Sequence, residues 1–188
     1  MTPASRLGQR YAFIVAAVTF AVLLVVAAVR SSPGVLLTPW QEAFGWDRRT
    51  ISFAAAVGIF LYGLMGPFAA AIMQSFGVRR TLVCALALIS ASTFASLFMT
   101  APWQLIATWG VLSGLGSGCI GMVLSATIVN RWFVTNRGLM MGLLTASTAT
   151  GALIFLPAFA ALTERGGWRP VVMVIAGITA ALIPLVLW

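Results

Sequence analysis

The stretch ISFAAAVGIFLYGLMGPFAAAIMQSFGVRR, residues 51–80, decides the fold. Residues 51–76 carry no charge. As a helix they extend about 39 Å, at about 1.5 Å per residue, more than the roughly 30 Å of a hydrocarbon core. Such a segment crosses a membrane. Arg79 and Arg80 follow directly, and a second apolar run, residues 81–99, begins at once. Only a tight turn with two positive charges fits between the runs, and basic turns of this kind stay on the cytoplasmic side. With that turn inside, alternation sets the direction of every other segment.

Composition agrees. The chain is 61% hydrophobic and 7% charged, against roughly 45–50% and 25% in an average soluble domain. An all-α, polytopic membrane protein is expected, with the lipid bilayer as its first partner. All eleven basic residues are arginine, and the acids are Glu42, Asp47 and Glu164. A net charge of +8 in a soluble chain would suggest nucleic acid. Here the arginines stand singly or in pairs between apolar segments and read as topology signals, so no nucleic-acid partner is expected. Cys84 and Cys119 fall inside apolar segments without metal-ligand spacing and read as small buried hydrophobes. No metal and no cofactor is expected. The sequence holds no P-loop, nucleophile elbow or neighbouring carboxylate pair, which argues against an enzyme.

Taken in order, residues 1–188 read as one six-helix domain, with helices near 11–37, 51–76, 81–99, 104–129, 138–162 and 170–188. The Pro33-Gly34 pair is expected to break or bend helix one, and Pro67 and Pro157 to kink theirs. With the N-terminus inside, Arg6, Arg10, Arg79, Arg80, Arg131 and Arg137 fall in the cytoplasm, and Arg48, Arg49, Arg165 and Arg169 outside. Trp40, Trp46, Trp103 and Trp168 would form an outer belt, with Trp132 and Trp188 at the inner interface; Trp109 fits neither. Gly110, Gly114 and Gly118 recur every four residues, and Gly138, Gly142 and Ala146 repeat the spacing, a pattern that lets helix backbones approach closely in lipid.

Several of these residues carry a family resemblance. The turn Phe76-Gly77-Val78-Arg79-Arg80 resembles the end of the loop motif Gly-x-Leu-Ala-Asp-Arg-x-Gly-Arg-Arg of the major facilitator superfamily. Gly66-Pro67, Phe44-Gly45-Trp46, Arg131-Trp132-Phe133 with Arg137-Gly138, and Gly167-Trp168-Arg169 are similar to markers of its monocarboxylate-transporter-like branch. The motif's acidic position falls on Gln74 and its first glycine on Ala70, so the charged lock of that loop is weakened. The resemblance implies two inverted three-helix repeats, half of a twelve-helix fold whose substrate lies between two halves. The chain looks like the N-terminal half, which leaves a C-terminal six-helix half or a second copy as a required partner.

Two residues are candidates for substrate binding. Arg30 lies about 7.5 Å beyond the midpoint between Arg10 and Trp40, within hydrocarbon depth, where an unpaired charge costs at least about 2.5–3.5 kcal/mol. The resemblance implies that a basic residue here attracts the carboxylate of a small organic anion. A snorkelling arginine that reaches the outer headgroups remains the alternative. Tyr62, about 16 Å into helix two, either lines the same path or donates a hydrogen bond to a neighbouring helix. No Asp or Glu lies inside an apolar segment, so a proton-coupled symporter of this kind would take its titrating group from the other half or from the substrate. A non-transporting fragment and a homodimeric carrier or channel stand as the other readings.

Overall fold

The computed structural model describes residues 3–133 and 136–187. Trp188, Val134 and Thr135 lie outside the described residues, as do the side chains of Arg6 and Arg10. Six helical spans make up the body: α1 Pro3–Phe44, α2 Arg48–Phe76, α3 Val78–Phe98, α4 Pro102–Trp132, α5 Arg137–Gly166 and α6 Trp168–Leu187. All six are long and apolar enough to cross a membrane.

The helices are longer than their apolar runs, and the connections correspondingly short. Helix α1 runs through Pro33 and Pro39 to Phe44, where an end near residue 37 and a break or bend at Pro33-Gly34 were expected. A proline at position 33 cannot donate to the carbonyl of Val29. The Ser32 hydroxyl donates to it instead, at 2.7 Å, and Ser31 donates to the Ala27 carbonyl at 2.9 Å. The freed acceptor is thus satisfied within the helix, the condition for crossing hydrocarbon. Residues 163–166, expected in a loop, close the last turn of α5.

Two connections are single glycines. Gly77 joins α2 to α3 at φ 85°, and Gly167 joins α5 to α6 at φ 73°, where a residue with a Cβ is disfavoured. Each glycine N–H bonds back to the helix it ends, Gly77 to Met73 and Gly167 to Thr163. Each is followed two residues on by an arginine, Arg79 or Arg169.

That likeness extends to the packing. Helix α1 pairs chiefly with α5, α2 with α4, and α3 with α6, while the next-closest pairs are α3 with α4, α1 with α4 and α1 with α6. Exchanging α1–α3 for α4–α6 leaves this scheme unchanged. Because three crossings separate equivalent helices, the second repeat is inverted in the membrane relative to the first. Contacts at the two ends confirm the weave. Phe13 of α1 meets Phe133 beyond α4, and Arg79 reaches the carbonyl of Val186 at the end of α6. At the opposite end, Phe44 stacks on Trp46 and touches Trp168.

Packing is close where the small residues of α2 and α4 meet. A Cβ at Gly110 would lie 3.0 Å from the Ala54 carbonyl, one at Gly114 2.9 Å from Gly58, and one at Gly118 3.0 Å from the Tyr62 carbonyl. Ala54, Gly58 and Tyr62 are themselves four apart, so two ridges of matching period lie backbone to backbone. The expected counterpart on α5 behaves differently. Gly138 and Gly142 have nothing within 4 Å, Ala146 is exposed, and α5 packs through Gly151 against Leu24 and Ala27 of α1. Other expectations also shift: Trp40 and Trp168 are buried within the bundle, so they do not form a lipid-facing belt, and Cys84 is exposed on the outer surface.

Gly114→Ala is expected to lower the thermal unfolding midpoint in detergent, at a cost of about 1–3 kcal/mol, because backbone faces the new methyl. Gly142→Ala, in open space, is expected to leave it unchanged or raise it. Ser32→Ala strands the buried Val29 carbonyl and is expected to cost about 1–3 kcal/mol in the same measurement.

Candidate functional site

Tyr62 is the middle residue of α2, which runs from Arg48 to Phe76. The ridge contact that carries it against α4 leaves its ring facing α1 and its hydroxyl against Gly121, where a Cβ would stand 2.6 Å from the oxygen. Only glycine at 121 leaves room for that hydroxyl. The interhelical hydrogen bond considered for Tyr62 is not formed among the described residues.

Because α1 continues to Phe44, Arg30 lies about 21 Å below the end of its helix, the same depth as Tyr62 below the start of α2. Its guanidinium carbon sits 4.2 Å from the centre of the Tyr62 ring. The guanidinium therefore packs on α2, while Arg30 as a residue stays exposed. Arg30 forms no ion pair among the described residues. Glu42, Asp47 and Glu164, the acids of the chain, all belong to helix ends and connections. A cation–π contact contributes about 0.5–2 kcal/mol, less than the cost of a charge at this depth.

Arg30 and Tyr62 line one cavity of about 310 Å³ between α1, α2 and α4, a size at the lower end of small-molecule sites. Helix α1 contributes Ser31 and the Pro33-Gly34 step, α2 contributes Ala55, Gly58 and Ile59, and α4 contributes Trp109, Ser113, Gly114 and Ser117. No acidic residue lines it. Above this wall α4 widens into a π-type turn, Ile106–Leu112, an irregularity common at functional sites. The turn seats Trp109 edge-on against Trp40, ring centres 5.4 Å apart. Both indole N–H groups are buried without a partner among the described residues.

The remaining candidates lie elsewhere. Gly77, Arg79 and Arg80 form the α2–α3 turn, where Arg79 Nε donates to the Val186 carbonyl at 3.1 Å and so complements the negative end of α6. Arg131 sits in the last turn of α4. Arg137 opens α5 and donates to the Phe133 carbonyl at 2.8 Å. None of the five lines the cavity. The sequence reading missed the α4 wall, although Ser113 and Ser117 are spaced one turn apart between the glycines of the ridge.

The architecture of paired three-helix repeats with a cavity between α1, α2 and α4 invites comparison with known carriers. The family model of the Major Facilitator Superfamily matches residues 19–188. The chain belongs to that superfamily. It is 27% identical over 184 residues to a Bacillus subtilis protein described as the uncharacterized MFS-type transporter YcxA, covering 97% of this chain and 45% of the relative. Over 174 residues it is 24% identical to human monocarboxylate transporter 14, covering 93% of this chain and 34% of the relative. Mouse monocarboxylate transporter 6 is 30% identical over 146 residues, covering 77% of this chain and 31% of the relative. The chain thus spans less than half the length of each of these relatives.

Tyr62→Leu removes the ring beneath Arg30 and is expected to destabilise the protein by about 0.5–2 kcal/mol, read as a lower thermal midpoint. Tyr62→Phe keeps the ring and is expected to match the parent protein.

Proposed function

We propose that this superfamily member is the N-terminal half of a secondary active transporter for a small organic anion, monocarboxylate-like, working by alternating access. The observation that carries the reading is the guanidinium of Arg30, held at mid-depth on the wall of a cavity without a carboxylate in reach. Such a charge needs a counter-ion, and an anionic substrate is the counter-ion that a transport path supplies. In this scheme Arg30 recruits the anion and Tyr62 holds the guanidinium in place until it arrives.

A second six-helix body covers the open side, as a C-terminal half or a second copy. Gly63 and Gly66 on α2 and Gly138 and Gly142 on α5 have nothing within 4 Å, and small residues on an outer face favour helix partners over lipid. In the orientation we propose, the N-terminus, the Gly77–Arg80 turn and the Arg131–Arg137 connection face the cytoplasm across the cell membrane, since these ends hold more arginines than the opposite ones. The two bodies would rock about that cytoplasmic turn.

Arg30→Ala is expected to abolish carboxylate uptake by proteoliposomes that carry the chain with its second half, while membrane insertion is retained. Arg30→Lys keeps the charge and loses the two-pronged geometry, so it is expected to retain partial uptake. Uptake by Arg30→Ala at the parent rate would remove Arg30 from the path.

A further inference from the structure

The cavity wall contributed by α4 carries a polar group that the protein leaves unused. Buried Ser and Thr hydroxyls in this bundle donate to carbonyls of their own helices, as Thr19, Thr108, Ser147 and Thr179 do at 2.6–2.8 Å. This is the usual way for a helix to quench a hydroxyl in an apolar setting. Ser113 and Ser125 are the buried hydroxyls that have no such bond among the described residues, and of these Ser113 lines the cavity. Ser113 as a residue is 5% exposed, but its hydroxyl is not among the fully enclosed polar atoms left without a partner. Among the described residues those are the Trp40 and Trp109 indole N–H groups, so the Ser113 oxygen opens onto the cavity that Ser113 lines.

The local backbone explains why the usual acceptor is out of use. In the π-type turn the N–H of Ser113 is directed to the carbonyls of Thr108 and Gly110. The carbonyl of Trp109, four residues back, packs on Gly58 of α2, where a Cβ would lie 3.1 Å away. One turn further, Ser117 reaches the Gly114 carbonyl only at 3.2 Å, long for a hydroxyl donor. The widened turn therefore presents Ser113 to the same space that Arg30 enters from α1.

We infer that Ser113 is a specificity-determining residue, a neutral hydrogen-bond donor to a second acceptor atom on an anion whose carboxylate is held by Arg30. The inference rests on the anion reading above. The site then prefers a carboxylate bearing an ether, carbonyl or hydroxyl oxygen to an alkyl carboxylate of equal size. An alkyl group there leaves Ser113 without a partner, the kind of mismatch by which polar sites discriminate.

Butyrate and methoxyacetate have the same number of heavy atoms and charge and differ by one acceptor oxygen. Their dissociation constants are measured by calorimetry on the protein in nanodiscs. The parent protein is expected to bind methoxyacetate about three- to tenfold more tightly. Ser113→Ala is expected to abolish that preference by weakening methoxyacetate alone, and unchanged butyrate binding shows that the variant is folded. Arg30→Gln is expected to weaken both anions together. An unaltered preference in Ser113→Ala, or an equal loss for both anions, overturns the role of Ser113 while the Arg30 result leaves the anion site standing. Absence of binding by either anion to the parent protein, or no effect of Arg30→Gln, overturns both.

Discussion

Two glycine-bearing ridges in contact, Ala54-Gly58-Tyr62 on α2 and Gly110-Gly114-Gly118 on α4, set the geometry on which the rest of the bundle depends. In lipid no hydrophobic force draws helices together, because the tails are as apolar as leucine, so close backbone packing must. Here the approach is so close that a single methyl at Gly114 would meet the Gly58 backbone at 2.9 Å. This contact fixes the height of Tyr62, and through Tyr62 the height of Arg30. It also sets the Trp109 carbonyl against Gly58, beside the cavity that Ser113 lines. One packing decision thus shapes three walls of the cavity.

The energetics of Arg30 follow from the same geometry. A guanidinium at mid-depth costs at least about 2.5–3.5 kcal/mol, and a ring face returns about 0.5–2 kcal/mol. In the function we propose, an anionic substrate supplies the balance. A buried acid would have met the same need, but would also have filled the site. Leaving the charge to an aromatic ring keeps the arginine oriented and available, because a cation–π contact leaves the guanidinium's in-plane N–H donors free for a carboxylate.

Much of the fold was legible in the sequence because lipid imposes simple rules. The six uncharged runs, the arginine pair after residue 76 and the glycine period of α4 each have one ready explanation. Helix ends were less legible, since Thr163, Glu164 and Arg165 continue a helix regardless of their polarity. Pro33 misled because the remedy is a side chain, Ser32, whose hydroxyl takes over the bond that proline lost. The stripe Gly138-Gly142-Ala146 shares its spacing with the α4 ridge and faces outward, so period alone does not tell which surface a ridge meets. For the site, Arg30 and Tyr62 stood out as polar groups in apolar surroundings, and they meet. Ser113 did not stand out, because its place on the cavity wall follows a π-type turn that no residue in 106–112 announces.

The central claim is that Arg30 waits on Tyr62 for an anion. The most direct measurement is the nuclear magnetic resonance signal of the Arg30 side-chain N–H groups in arginine-labelled protein, assigned by its loss in Arg30→Lys. The account predicts a signal displaced by the Tyr62 ring current that moves when acetate is added and does not move with acetamide. A signal without ring-current displacement, or one indifferent to acetate, would contradict it.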